Sequence, residues 1–134
     1  MANLTPATIN TLNPESLGPA IAPYSQATVA NGLCFIAGQV GLDADNQVIE
    51  PGDVRAQTTA AIERMETILA EVGASLSDVV TATVFLTDLD DFAGFNEAWA
   101  EKFGDHRPAR ATVRADLLLE GLVVEVQAIA RVPG

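Results

Sequence analysis

"RPARATVRADLLLEGLVVEVQAIA", residues 107–130, is the stretch on which the fold turns. It reads as two strands, 109–115 and 122–131, joined by the tight connection "DLLLEG". Side chains alternate along a strand. Arg110, Thr112 and Arg114 therefore share one side of the first strand, and Ala109, Ala111, Val113 and Ala115 share the other. In the second strand Val124, Val126, Ala128 and Ala130 share a side, while Glu125 and Gln127 point oppositely. The apolar sides are expected to meet helices. The other face would carry Arg110, Thr112, Arg114, Glu125 and Gln127. A hairpin across "DLLLEG" would set Arg110 near Glu125.

The same stretch holds three of the chain's seven Lys and Arg residues, against eighteen Asp and Glu. Two readings are open. One is a solvated sheet face with a cross-strand ion pair, a common and weak arrangement worth at most ~1 kcal/mol. The other is a face covered by a second subunit. Charges in a partly dry crevice cost several kcal/mol each to desolvate. A lone guanidinium there points to a bound carboxylate, gripped by two charge-assisted hydrogen bonds.

Outward from this stretch the elements alternate. "YSQATVANGLCFIAGQV" reads as two strands around the two-residue turn Asn31-Gly32, with Gly38 closing the second. "GLDADNQVIEPGD" is a loop, and Asp53 is an expected N-cap for a helix reaching about Val72. Val54, Thr58, Ala61, Met65, Ile68 and Val72 mark one helix face, and Gly73 fits a left-handed stop. The β-branched run "VVTATVFLT" from Val79 reads as a central strand. Asp90 or Asp91 is expected to cap a second helix, with Phe92, Phe95, Trp99 and Phe103 on its core side and Gly104 at its end. Residues 1–20 read as an irregular arm. The order β-β-α-β-α-β-β predicts a single α/β domain over 1–134, a two-layer sandwich with two helices on one face of a mixed sheet.

Composition narrows the function. Hydrophobic residues make up 49% of the 134 and charged ones 19%, with mean hydropathy slightly positive. Such a chain is too apolar for disorder, and self-association would cover the excess. The net charge of −11 argues against nucleic-acid and anionic-membrane partners. No run nears the ~20 apolar residues of a membrane helix. The first twenty residues lack a basic region and a hydrophobic stretch, so a cytoplasmic protein without a signal peptide is expected. A lone Cys34 fits a reducing compartment and reads as a small buried hydrophobe. The single His106 reads as a solvated loop residue, and without a His/Cys cluster no metal site is expected.

The segment 107–130 resembles the signature of the RidA family (YjgF/Rid, enamine/imine deaminases). "APYSQAT", "FIAGQVGLD" and "DVRAQTTAAIERMETILAEVGASLSDVVTATVFLTDLDDFAGFNE" carry the likeness over roughly residues 17–131. The resemblance implies a chorismate-mutase-like fold and a homotrimer with clefts at the subunit boundaries. It implies hydrolysis of 2-aminoacrylate-type enamines and their imine tautomers to 2-keto acids and ammonia, with no metal or organic cofactor. By position, Arg110 matches the arginine that grips the substrate carboxylate. Glu125 matches the acid that positions or activates water. Tyr24 matches a tyrosine lining the cleft, and Gly38 a glycine whose backbone approaches the ligand. Two positions depart: Ala37 stands where Ser or Thr is usual, and Thr112 where Cys is often found. A non-catalytic carboxylate-binding or regulatory trimer is the alternative. Ribonuclease activity, a description that travels with this family, fits the acidic charge and lone histidine less well.

Overall fold

The computed structural model describes residues 8–134. In chain order the elements are β1 (Asn10–Leu12), β2 (Ala27–Ala30), β3 (Leu33–Val40), α1 (Val54–Ala70), β4 (Val79–Leu86), α2 (Phe92–Phe103), β5 (Ala109–Arg114) and β6 (Val124–Arg131). The expected order is present with one addition. Part of the arm read as irregular forms β1, which pairs antiparallel with β2. Asn13 Oδ1 just beyond it accepts from the Gln26 N–H at 3.0 Å, fastening the arm to the next strand.

The hairpin expected across "DLLLEG" does not form. The sheet order is β1-β2-β3-β6-β4-β5, with β6 inserted between β3 and β4 and antiparallel to both. β5 lies at the sheet edge, parallel to β4. The reason is topological. β4, α2 and β5 make a strand–helix–strand crossover, which lays β5 parallel beside β4. The nine residues 115–123 then carry the chain from the edge back to the gap beside β3.

Both helices cover one face. Asp53 caps α1, accepting from the Ala56 N–H at 3.0 Å, and the helix gives way through Gly73 at φ +69°. Its inward stripe, Val54, Thr58, Ala61, Met65 and Ile68, is buried as the periodicity required. A second helical start differs from expectation. Asp91 occupies the N-cap position of α2 but its side chain accepts no capping hydrogen bond; Asp88 accepts one instead, from the Asp90 N–H, because the turn Leu89–Asp91 is a 3-10 segment running straight into α2. Phe95, Trp99 and Phe103 of α2 are buried, whereas Phe92 is exposed. Asn31-Gly32 makes the β2–β3 turn with φ of 51° and 76°, the left-handed pair that such a turn demands.

Buried Gln57 joins the layers. Its Nε2 donates to the carbonyls of Ile49 (3.2 Å), Glu50 (3.1 Å) and Gly121 (2.8 Å), and its Oε1 accepts from the Val123 N–H at 2.9 Å. One amide side chain thus ties the loop after β3 to the segment before β6. Gln57→Leu preserves size but strands these groups, so a loss of about 2–4 kcal/mol is expected in urea unfolding.

Candidate functional site

Tyr24, Ala37, Gly38 and Glu125 converge on one pocket of about 330 Å³. A β-bulge builds it. Ile36 pairs with Ala128 and Gln39 with Val126, so Ala37 and Gly38 together oppose the single residue Gln127. The extra residue turns the β3 backbone toward Glu125 on the adjacent strand. A Cβ at Gly38 would lie 2.6 Å from Glu125 Oε2 and 2.7 Å from its Cδ. Only glycine leaves the carboxylate where it is.

Polar side chains hold the bulge from behind. Gln39 is buried and donates from Nε2 to Gln26 Oε1 (2.9 Å) and to the Ala37 carbonyl (3.1 Å). Arg64 of α1, also buried, donates from Nε to Gln39 Oε1 (3.0 Å) and from Nη1 to the Leu42 carbonyl (3.1 Å). Sequence reading missed this network. Its signal was Arg64 beside Met65 on the buried helical stripe, a charge where the periodicity calls for an apolar residue.

Glu125 lies on the open sheet face, between Val40 of β3 and Phe85 of β4. Burial pushes its carboxyl above the ordinary glutamate range. No Lys or Arg among the described residues forms a salt bridge with it. The folded protein therefore holds this proton more tightly than the unfolded chain does. The associated stability is fully present below the unfolded pKa and is lost as pH rises through the raised folded value. Glu125→Gln removes that loss. Urea midpoints should show the variant gaining on the parent as pH rises above the ordinary glutamate range.

Arg110 lies elsewhere, which corrects the expected face and the expected proximity. It pairs in register with Ala82, a buried residue beneath the helices, so its side chain leaves the sheet on the helix side. Thr112 and Arg114 share that side, opposite Val84 and Leu86. Ala109, Ala111 and Val113 take the open face. The exchange is possible because β5 is an edge strand, where long polar side chains emerge around the end of the helical layer. Arg110 Nη2 donates to Asn96 Oδ1 at 2.8 Å, and its Cζ lies 5.0 Å from the Phe95 ring centre and 5.1 Å from that of Trp99. Burial lowers its pKa, yet a guanidinium keeps its charge. It forms no salt bridge among the described residues. With Asn96, Trp99 and Arg107 it borders a surface depression of about 470 Å³.

Within one chain these two charges cannot meet. Arg110 is at the level of Ala128, three residues along β6 from Glu125 and two strands away. That separates them by about 10 Å along the strands and about 10 Å across them, with the sheet between. Thr112 belongs to the outer edge, where one row of backbone groups has no strand partner among the described residues.

The remaining candidates fall outside both places. Cys34 is fully buried and its thiol pKa is raised by burial, as suits an unreactive core residue. His106 is half-buried rather than solvated, with Nε2 2.8 Å from the Val79 carbonyl. Among the described residues no cluster of three or more His, Cys, Asp or Glu side chains is placed to hold a metal, and no helix is long and apolar enough to cross a membrane.

Comparison with known proteins agrees with this architecture. The family model described as endoribonuclease L-PSP matches residues 15–132. A RutC family protein of Pyrococcus abyssi is 46% identical over 116 residues, covering 87% of this chain and 91% of that one. The 3-aminoacrylate deaminase RutC of Acinetobacter baylyi is 37% identical over 119 residues, covering 89% and 94%. Among solved structures, E. coli TdcF with bound serine superposes with a TM-score of 0.82 at 30% identity, covering 91% of this chain and 98% of that one. With the family model matching residues 15–132 and its relatives aligned over most of their length, the chain belongs to the YjgF/RidA/RutC family.

Proposed function

We propose that this protein is a cofactor-independent enamine/imine deaminase. In this reading it hydrolyses 2-aminoacrylate-type 2-imino acids to 2-keto acids and ammonia in clefts between the subunits of a homotrimer. One observation carries the proposal. Arg110 and Glu125 are opposite charges, each partly withdrawn from water and each without an ion-pair partner among the described residues of its own chain. Both conditions are relieved when the edge strand of one copy meets the open sheet face of the next. The middle of that face supports such an encounter. Around Glu125 it carries Phe35, Thr81, Thr83, Phe85 and Ile129, which bear no charge. The Acinetobacter relative's name, 3-aminoacrylate deaminase, lends support to this class of reaction. The serine bound to TdcF supports a small amino-acid-like ligand.

The chemistry asks little of the protein. Arg110 of one copy grips the substrate carboxylate and draws electron density from the imine carbon. An enamine first becomes the imine by protonation at its β-carbon. Glu125 of the facing copy accepts a proton as water adds to the C=N bond. It then returns that proton to the nitrogen, and the carbinolamine collapses to keto acid and ammonia. Proton transfer of this kind is typically worth 10²–10⁴-fold. Tyr24 and the Gly38 backbone close the cleft around the reacting carbon, and the free backbone edge at Thr112 supplies a further contact.

The test is a competition. An amino-acid oxidase generates the imine, semicarbazide traps it, and the protein should lower the rate of semicarbazone formation by accelerating hydrolysis. Protein that binds 2-keto acids yet leaves that rate unchanged would instead be a carboxylate-binding trimer, the reading favoured if Ala37 in place of a hydroxyl residue has removed the chemistry.

A further inference from the structure

The bulge that brings Gly38 against Glu125 is suspended from one helical residue. Arg64 of α1 is only 8% exposed and forms no salt bridge among the described residues. Burial lowers its pKa, yet a guanidinium keeps its charge. A buried cation without a counter-charge works against folding, and an apolar residue would fill the same stripe without that penalty. Its hydrogen bonds show what the charge does there. Nη1 holds the Leu42 carbonyl, just beyond β3, and Nε holds Gln39 Oε1 within it.

The second bond fixes a choice. An amide side chain can be turned either way, but a guanidinium only donates. Arg64 therefore admits only the orientation with Gln39 Oε1 facing it. The Nε2 hydrogens are then directed at Gln26 Oε1 and the Ala37 carbonyl. Turned over, the amide would set its N–H groups against the guanidinium and its oxygen against those two oxygens. Gln26 also accepts the Ala37 N–H on its own carbonyl at 2.9 Å. Ala37 is thus held at both backbone groups. Gly38 follows directly, and its backbone limits where the Glu125 carboxylate can rest. Arg64, Gln39 and Gln26 are buried within a single chain, so these contacts do not depend on a facing copy.

We propose that Arg64 is a positioning residue: acting through Gln39, it fixes the Ala37–Gly38 backbone and with it the Glu125 carboxylate, and so governs kcat while leaving the grip on the substrate carboxylate alone. The inference rests on the deaminase reading above for its chemistry and on the hydrogen-bond chain for its direction.

The experiment separates chemistry from binding. Arg64→Met should lower kcat in the imine competition by about 10–100-fold, as a small misplacement of a catalytic group does. Calorimetric affinity for pyruvate should stay within about threefold, because Arg110 still holds the carboxylate. Gln39→Glu keeps an acceptor for Arg64 but has no hydrogen to give Ala37, so it should show the same split. Arg64→Lys keeps a cationic donor and should retain most of the parent kcat. Amide hydrogen exchange at Ala37 and Gly38 should quicken in Arg64→Met and Gln39→Glu. If Arg64→Met does not fold, the double substitution Arg64→Met/Gln39→Met, which removes donor and acceptor together, takes its place with the same expectation. A folded variant with the parent kcat overturns the inference, as does a loss of pyruvate affinity equal to the loss of kcat. If the parent accelerates no imine, the deaminase reading fails. Exchange at Ala37 and Gly38 then still decides whether Arg64 holds the bulge, and unchanged rates there overturn that too.

Discussion

Arg110→Ala and Glu125→Gln, each inactive alone, should recover about one quarter of the parent activity when mixed in equal amounts and reassembled. In the proposed cyclic assembly every cleft takes its carboxylate from one protomer and its guanidinium from the next. A random half of protomers carries an intact Glu125 and the other half an intact Arg110. One cleft in four then receives both. If the two residues served one site within a single chain, every site in the mixture would lack one partner and no activity would return. The separate losses should be large. Arg110→Ala removes the only proposed grip on the carboxylate, and Glu125→Gln removes the proton carrier, so each should lower kcat/KM by about 10²–10⁴-fold. Size-exclusion profiles of both variants should match the parent, and their unfolding curves should stay close to it apart from the gain of Glu125→Gln at raised pH. The rate of the parent should also rise with pH through a single ionisation above the ordinary carboxylate range, since burial raises the Glu125 pKa and the base must be unprotonated to act.

The second large effect is expected at Gly38. Its Cβ would enter the space of the Glu125 carboxylate, at 2.6 Å from Oε2 and 3.0 Å from Cγ. The three atoms nearest to it all belong to that one side chain, which can swing aside. Gly38→Ala should therefore displace the carboxylate without breaking the sheet. Activity should fall toward that of Glu125→Gln, while stability stays within about 1 kcal/mol, because alanine also reduces the freedom of the unfolded chain. A Gly38→Ala protein with full kcat would show that the close approach of the β3 backbone has no part in catalysis. Ala37→Ser makes a useful companion. A serine hydroxyl at that half-buried position would restore the group usual in this family and report whether its absence limits the rate.

Much of the fold was legible because its signals are local. The Asn31-Gly32 turn, the Asp53 cap, the stop at Gly73 and the apolar stripe of α1 each depend on a few neighbouring residues, and each stands where expected. Alternation along β6 likewise predicted that Val124, Val126 and Ala128 would be buried and that Glu125 would face away. The same rule applied to β5 chose the wrong side. Alternation states which residues share a side; it does not state which side meets the helices. Alanines at 109 and 111 are small enough for either face, so their apolarity carried little weight. Arg110 was expected on the face away from the helices, yet aromatic rings of α2 receive its guanidinium on the helix side. The helix between β4 and β5 was the overlooked clue to their parallel pairing.

The sequence by itself determined the elements other than the short β1, their order, the polar residues able to do chemistry, and a composition that asks for a covered face. All of these follow from short-range periodicity, turn chemistry and charge count. Tertiary structure alone decided that β6 enters between β3 and β4, that a bulge presses Gly38 against Glu125, and that Arg110 leaves by the opposite face. Those outcomes come from pairing between strands far apart in the chain. Such pairing is settled by the packing of the whole sheet against its helices, and no window of sequence contains it.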